Sequence, residues 1–128
     1  MKDFCIIVKN KVIPFGKYDA MAIYPFIFIK GEATEKVIRH EKIHHEQQKE
    51  MGIAGAIIAV ILLLAGCAWF SLLALPLFYW WYGIEYFIRL FLIGDAYRNM
   101  SFEQEAYTYD NSENYLDNRQ AFEWLNFL

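Results

Sequence analysis

The chain has 128 residues and a formal net charge of -3, with hydrophobic residues at 57% and aromatic residues at 19%. That length fits one compact unit, residues 1-128, and leaves little room for a second core. The mild acidity excludes the basic footprint of a nucleic-acid binder, and Cys5 and Cys67 are too few for a disulfide framework, so both read as reduced, small apolar residues.

In chain order, residues 1-31 predict short antiparallel strands, "FCIIV", "KVIPF" and "MAIYPFIFI", punctuated by Lys9-Asn10-Lys11 and by Gly16-Lys17-Tyr18-Asp19. Pro25 lies inside the third run. Because proline cannot donate a ladder hydrogen bond, that run is expected at a sheet edge, where an edge is either protected or open to another extended chain. No cleavable signal peptide is expected, since "MKDFCIIVKNKVIPF" turns charged too early for an apolar signal segment.

Thr34 offers an N-cap with Glu35 in the first turn, so a helix is expected from there. Nothing between Glu35 and Ala65 forces it to stop, although Gly52 and Gly55 weaken it. Its polar part, residues 34-51, contains "VIRHEKIHHEQQ", in which His40, Glu41 and His44 stand as H-E-x-x-H. Positions i and i+4 share a helix face, so the two histidines can direct their imidazoles at one ion. Glu41 is offset from that pair and can reach a water beside the ion. Zinc lowers the pKa of such a water, and a nearby carboxylate can take its proton as it attacks a carbonyl. The plainer alternative is a solvated helix rich in Glu, Lys and Gln. His45 turns about 100° away from His44 and is expected on the solvated face.

Gly52 to Gly94, "GIAGAIIAVILLLAGCAWFSLLALPLFYWWYGIEYFIRLFLIG", is roughly twice the ~18 apolar residues that can cross a bilayer. It predicts a membrane helical hairpin over 52-94. Its first helix ends near Ala65 to Trp69, and its second runs from about Leu72 to Ile93. A buried helix pair in a soluble protein is the alternative. His44 then lies ~12 Å before the apolar run, which makes the motif juxtamembrane. Nine Lys or Arg precede Gly52 and none occupies the turn, so both hairpin ends, and the site, are expected to face the cytoplasm. "FYWWYGIEYF" suits a headgroup belt yet falls mid-helix, so either the boundary is shifted or the hairpin enters only one leaflet. Glu85 and Arg89, at i and i+4, are the only Asp, Glu, Lys or Arg between Glu50 and Asp95. They can neutralise each other, or Glu85 can support a ligand histidine while Arg89 orients a substrate carboxylate or Glu103.

In residues 95-128, Ser101 and Gln104 form a capping-box pattern that opens a helix at "SFEQEAYTYD". Phe122, Leu125 and Leu128 then recur at helical spacing, on a face that packs on the domain or rests at the membrane surface. A catalytic zinc site uses three protein ligands, and the candidates for the third are Glu85, Glu103 and Glu105. The last two stand about 200° apart on a helix, so only one can face the ion.

H-E-x-x-H on one helix, followed on a later helix by Phe102-Glu103-Gln104-Glu105-Ala106, resembles the gluzincin metallopeptidases. It resembles in particular the membrane CAAX prenyl protease and HtpX group, of which this chain would be a minimal version. The resemblance implies that Glu103 is the third zinc ligand. It also implies peptide-bond hydrolysis, an edge strand in "MAIYPFIFI" that holds an extended substrate, and an oxyanion-stabilising tyrosine or histidine, with Tyr107 and Tyr109 as candidates. Where that group usually has aspartate four residues after the glutamate, this chain has Tyr107.

The expected fold class is therefore α+β and mainly helical, with N-terminal strands, a long H-E-x-x-H helix, a membrane hairpin and short C-terminal helices. The expected function is a membrane zinc metallopeptidase whose partners are the lipid bilayer and a peptide or membrane-protein substrate. The second expectation is a non-catalytic membrane protein whose metal site fastens the tail helix to the long helix.

Overall fold

A computed structural model describes residues 4–128. The chain is mainly helical, with three N-terminal strands: β1 (Ile6–Asn10), β2 (Ala20–Ile23) and β3 (Phe26–Lys30), in the sheet order β1-β3-β2. β3 runs parallel to β1, from Ile6↔Phe26 to Asn10↔Lys30, and antiparallel to β2, from Ala20↔Ile29 to Ile23↔Phe26. The sheet is therefore mixed, which corrects the all-antiparallel expectation. "KVIPF" forms no strand, because the Asn10 side chain accepts from the N–H groups of Val12 and Ile13 and donates to the Ile13 carbonyl at 2.8 Å. An asparagine that satisfies its neighbours' backbone in this way turns the chain out of the ladder. "MAIYPFIFI" likewise divides into β2 and β3, with Pro25 in the turn between them instead of within an edge strand.

β2 is nevertheless an edge strand, and its free side faces the long helix. Asp19 points its carbonyl at Lys30 of β3, so Ala20, Ala22 and Tyr24 direct their backbone groups outward. Gln48 clasps one end of that edge: its Nε2 donates to the Ala22 carbonyl at 2.8 Å, and its Oε1 accepts from the Tyr24 N–H at 2.7 Å. On the sheet face, Ala20, Ala22, Ile27 and Ile29 are buried together against Val37 and Ile38.

The long helix α1 spans Glu35–Leu64 and starts as expected, with the Thr34 hydroxyl accepting from the Val37 N–H at 3.3 Å. The apolar run that follows makes three helical stretches where two were expected: the end of α1, then α2 (Ala68–Ala74) and α3 (Leu77–Ile93). Gly66, at φ 80°, supplies the first reversal. The second break falls at Leu75-Pro76, where proline cannot donate to the preceding turn. Gly55 lets α1 and α2 approach closely, since a Cβ there would lie 2.3 Å from the Ala74 carbonyl oxygen. By length and composition, α1 is the one helix among the described residues able to cross a membrane. The 17-residue α3 instead lies along the body of the protein.

Short helices α4 (Ala96–Asn99), α5 (Ser101–Tyr109) and α6 (Tyr115–Asn118) and a 3-10 turn at Glu123–Phe127 complete the chain. Phe102 centres a second core with Met51, Phe78 and Trp124, its ring centroid lying 4.7 Å from that of Phe78 and 4.6 Å from that of Trp124. In the final segment Trp124 is the buried residue, whereas Phe122, Leu125 and Leu128 are exposed, so that face does not pack on the domain. A 3-10 turn has three residues per turn, so it stacks that set on one side, and here that side faces outward while Trp124 faces the core.

Candidate metal centre

Residues 40, 44, 47 and 51 recur at i, i+4, i+7 and i+11 and so form one stripe of α1. Opposite them, α5 presents Glu103, Ala106 and Asp110, with Ala106 fully buried where the helices meet. This packing brings His40, His44 and Glu103 together, with ligand atoms all within 4.8 Å of one another, as a cluster that could hold a metal ion.

The edges of the triangle test the fit. The two Nε2 atoms of His40 and His44 are 3.1 Å apart, His40 Nε2 lies 3.4 Å from Glu103 Oε2, and His44 Nε2 lies 3.5 Å from Glu103 Oε1. Ligands at ~2.0–2.1 Å from a tetrahedral ion stand about 3.3–3.4 Å apart, a spacing each histidine keeps to a different oxygen of the Glu103 carboxylate. Glu103 Oε2 is buried without a hydrogen-bond partner. A buried orphan oxygen beside two converging ring nitrogens is what a shared cation would satisfy.

Electrostatics point the same way. Burial disfavours a charged His44, but the Glu103 carboxylate outweighs it and raises the imidazole from 6.5 to about 9. Burial likewise opposes ionised Glu103, yet His44 and His40 hold its carboxyl well below the usual range. The pocket attracts positive charge, and a metal ion there must displace a proton.

His44 is held from behind. His44 Nδ1 lies 2.8 Å from Gln47 Oε1, so the ring donates to Gln47 and leaves Nε2 free to ligate. The Gln47 amide is fixed in turn, donating to the Phe102 carbonyl and to Glu105 Oε2, both at 3.0 Å. Arg119 clamps Glu105 and Glu50 together. Beside His40, Asp110 Oδ2 stands 3.7 Å from Nδ1, and the Asp110 carbonyl accepts from Arg39 Nε at 2.8 Å. Asp110 thus brings a carboxylate near His40 from two turns beyond Glu103, while Tyr107, one turn beyond, packs its ring on His40.

The other candidates separate clearly. Glu105 is buried in the Arg119 and Gln47 network and is not in the cluster, which Glu103 joins. Glu85 is no ligand: it accepts from the Ser101 N–H at 2.8 Å and from the Ser101 hydroxyl at 2.6 Å, and pairs with Arg89 at 3.2 Å. It therefore caps α5 from another helix. The expected capping box is absent, because Ser101 is spent on Glu85 and Gln104 donates to the Asn99 carbonyl. Arg89 also donates toward the Phe127 carbonyl, at 3.4 Å, so it ties α3 to the tail instead of reaching Glu103. His45, expected in solvent, is buried against Tyr24 at 4.9 Å between ring centroids.

Among the tyrosines, Tyr107 packs on His40 at 4.6 Å, whereas Tyr109 stacks on Tyr115 at 3.8 Å and is withdrawn from the site. Two others lie beside Glu103. Tyr82 donates to Glu103 Oε1 at 3.3 Å, and Tyr97 is kept protonated by burial and the neighbouring Glu103 charge.

Two cavities flank the triangle along β2. The larger, about 380 Å³, is walled by Ala20 to Ile23, His44 and the aromatic rings of Phe78, Tyr79 and Tyr82. The smaller, about 280 Å³, has charged side chains in its wall, with Lys17, Asp19, His40, Tyr107 and Asp110 among its lining. Glu41, Tyr97, Tyr18 and Ala20 border both, so Glu41 stands at the middle of one cleft.

Replacing Gln47 by Leu is expected to weaken metal binding by ~10–100-fold while leaving all three ligands in place, the usual cost of losing an outer partner. Competition with a chromogenic chelator measures it, and unchanged affinity would remove Gln47 from the site. No protein-family model, curated protein or solved structure matches the chain.

Proposed function

We propose that this chain is a gluzincin-like zinc metallopeptidase that cleaves peptides at a membrane surface, with its site on the cytoplasmic side. The observation that carries this reading is the position of Glu41, on the wall of the cleft beside the His40, His44 and Glu103 cluster, whose ligand atoms lie within 4.8 Å of one another. Two imidazoles and one carboxylate leave a fourth position for water or substrate, the arrangement of catalytic rather than structural zinc. When bound, zinc would supply Lewis acidity, lowering the pKa of a water and polarising the scissile carbonyl.

The chain's own residues do the rest. Glu41 takes a proton from the attacking water and returns it to the leaving amine. The outward groups of Ala20 and the Ala22 N–H pair with an extended substrate, which Gln48 stops from running past Ala22. Tyr97 and Tyr107 are placed to donate to the oxygen on which negative charge develops. The larger, aromatic cavity suits a bulky apolar side chain of the substrate.

The alternative is a metal that fastens α5 to α1 without catalysis, and it draws on the same bridging triangle. The two readings part on chelation. Glu85, Arg119 and the Phe102 core also hold α5, so removing the metal is expected to abolish cleavage and leave the helical content unchanged. The test offers a pool of unstructured peptides to detergent-purified protein with and without a zinc chelator, with products read by mass spectrometry. Cleavage that survives chelation, or a fold that melts with no cleavage at any stage, would contradict the peptidase.

A further inference from the structure

We propose that the apolar lobe of this protein docks into a single leaflet of a lipid bilayer and does not cross it. The proposal refines the membrane location assumed above and is independent of the metal chemistry.

Depth is the first argument. α1 and α2 form a hairpin whose return strand meets α1 at Gly55, where a Cβ would touch the carbonyls of Ala74 and Leu75. From Gly55 to the turn after Leu64 is about ten residues, hence ~15 Å. That is half of the ~30 Å hydrocarbon core. The first half of α1 cannot extend the reach, because His40, His44, Gln47 and Met51 are committed to the metal centre and the Phe102 core.

The course of α3 is the second argument. Phe78, Tyr82, Glu85 and Arg89 lie at i, i+4, i+7 and i+11 and contact Phe102, Glu103, Ser101 and the Phe127 carbonyl in turn. α3 thus lies flat along the body that carries the site. Its opposite face, with Trp80, Ile84, Phe87 and Phe91, is exposed. A helix with one anchored face and one exposed apolar, aromatic face fits the interfacial plane, and this placement accounts for "FYWWYGIEYF".

Lipid is favoured over a second copy of the chain by the shape of the surface. Ile57, Ile58, Val60, Ile61, Leu63 and Leu64 are all exposed, which puts apolar groups around α1 on every side but the one that α2 covers. A closed two-fold interface covers one patch. Acyl chains cover all sides. At the tip, Leu64 and Trp69 are more than four-fifths exposed, and no charged residue lies between Met51 and Ile84.

Cys67, exposed at this tip, is a built-in probe. A Cys5→Ala variant, with Cys67 as its one thiol, is reconstituted into vesicles of phosphatidylcholine and phosphatidylglycerol and treated with a membrane-impermeant maleimide. Reconstitution in both orientations would expose a spanning tip to the outside in part of the population. The expected result is protein that floats with the vesicles and stays unlabelled until SDS dissolves them. Labelling of vesicle-bound protein would put the tip in water and overturn single-leaflet docking alone. Protein that stays out of the vesicles, as a dimer or otherwise, would overturn the lipid partner and the membrane location together; metal content, measured on the same sample, reports separately on the site.

Discussion

Glu41→Gln is expected to keep one metal ion per chain and to lose peptide hydrolysis by ~10²–10⁴-fold, the usual worth of a positioned general base. The separation of the two effects follows from placement. Glu41 belongs to the cleft wall and not to the ligand triangle, so a neutral amide of nearly the same size leaves His40, His44 and Glu103 where they are. The loss should fall on kcat, because the proton transfer belongs to the transition state and not to substrate binding. Wild-type hydrolysis by this variant would refute the water-activation mechanism, and loss of metal with activity would mean that Glu41 is a ligand.

The second large effect is on stability. Arg119→Met is expected to destabilise the fold by about 3–5 kcal/mol, since it leaves buried carboxylates without their counter-charge. Arg119 is nearly inaccessible and binds both Glu105, which is fully buried, and Glu50, while Tyr115 donates to Glu105 at 2.9 Å. Glu105 also fixes Gln47, so the same change should loosen His44 and weaken metal binding. Thermal unfolding in detergent, read by circular dichroism, should show a drop of roughly 10 °C or more. Adding Glu105→Gln removes one stranded charge, so the double variant should be more stable than Arg119→Met alone. An unchanged melting temperature in Arg119→Met would show that the clamp carries no weight.

The parts of this molecule that could be read along the chain are those set by local spacing. The i, i+4 pair His40 and His44, the Thr34 cap and the long α1 depend on neighbours within one helix. The groups that depend on tertiary packing could not be read. Gln47 lies on the histidine stripe, three residues after His44, and that periodicity was its one available signal. Asp110 repeats the face of Glu103 after seven residues, but its pairing with His40 exists only because α5 lies across α1. Arg119 gave no local sign at all, since its partners are 69 and 14 residues away. Glu85 and Arg89 stood out as charges in an apolar run, yet the role of Glu85 as a cap depended on where Ser101 came to lie. The break at Pro76 was visible as a breaker, but a proline is also accepted in a helix's first turn, and only the return of α2 to Gly55 decides between the two.

The account rests on the triangle of His40, His44 and Glu103, and the most direct measurement is the metal content of protein purified in mild detergent, wild type beside Glu103→Ala. The expected result is one zinc per wild-type chain and a loss of affinity in the variant beyond the ~10–100-fold that an outer partner costs. Wild-type protein that stays metal-free after incubation with zinc, or a variant that binds it equally well, would contradict the metal centre and with it the peptidase.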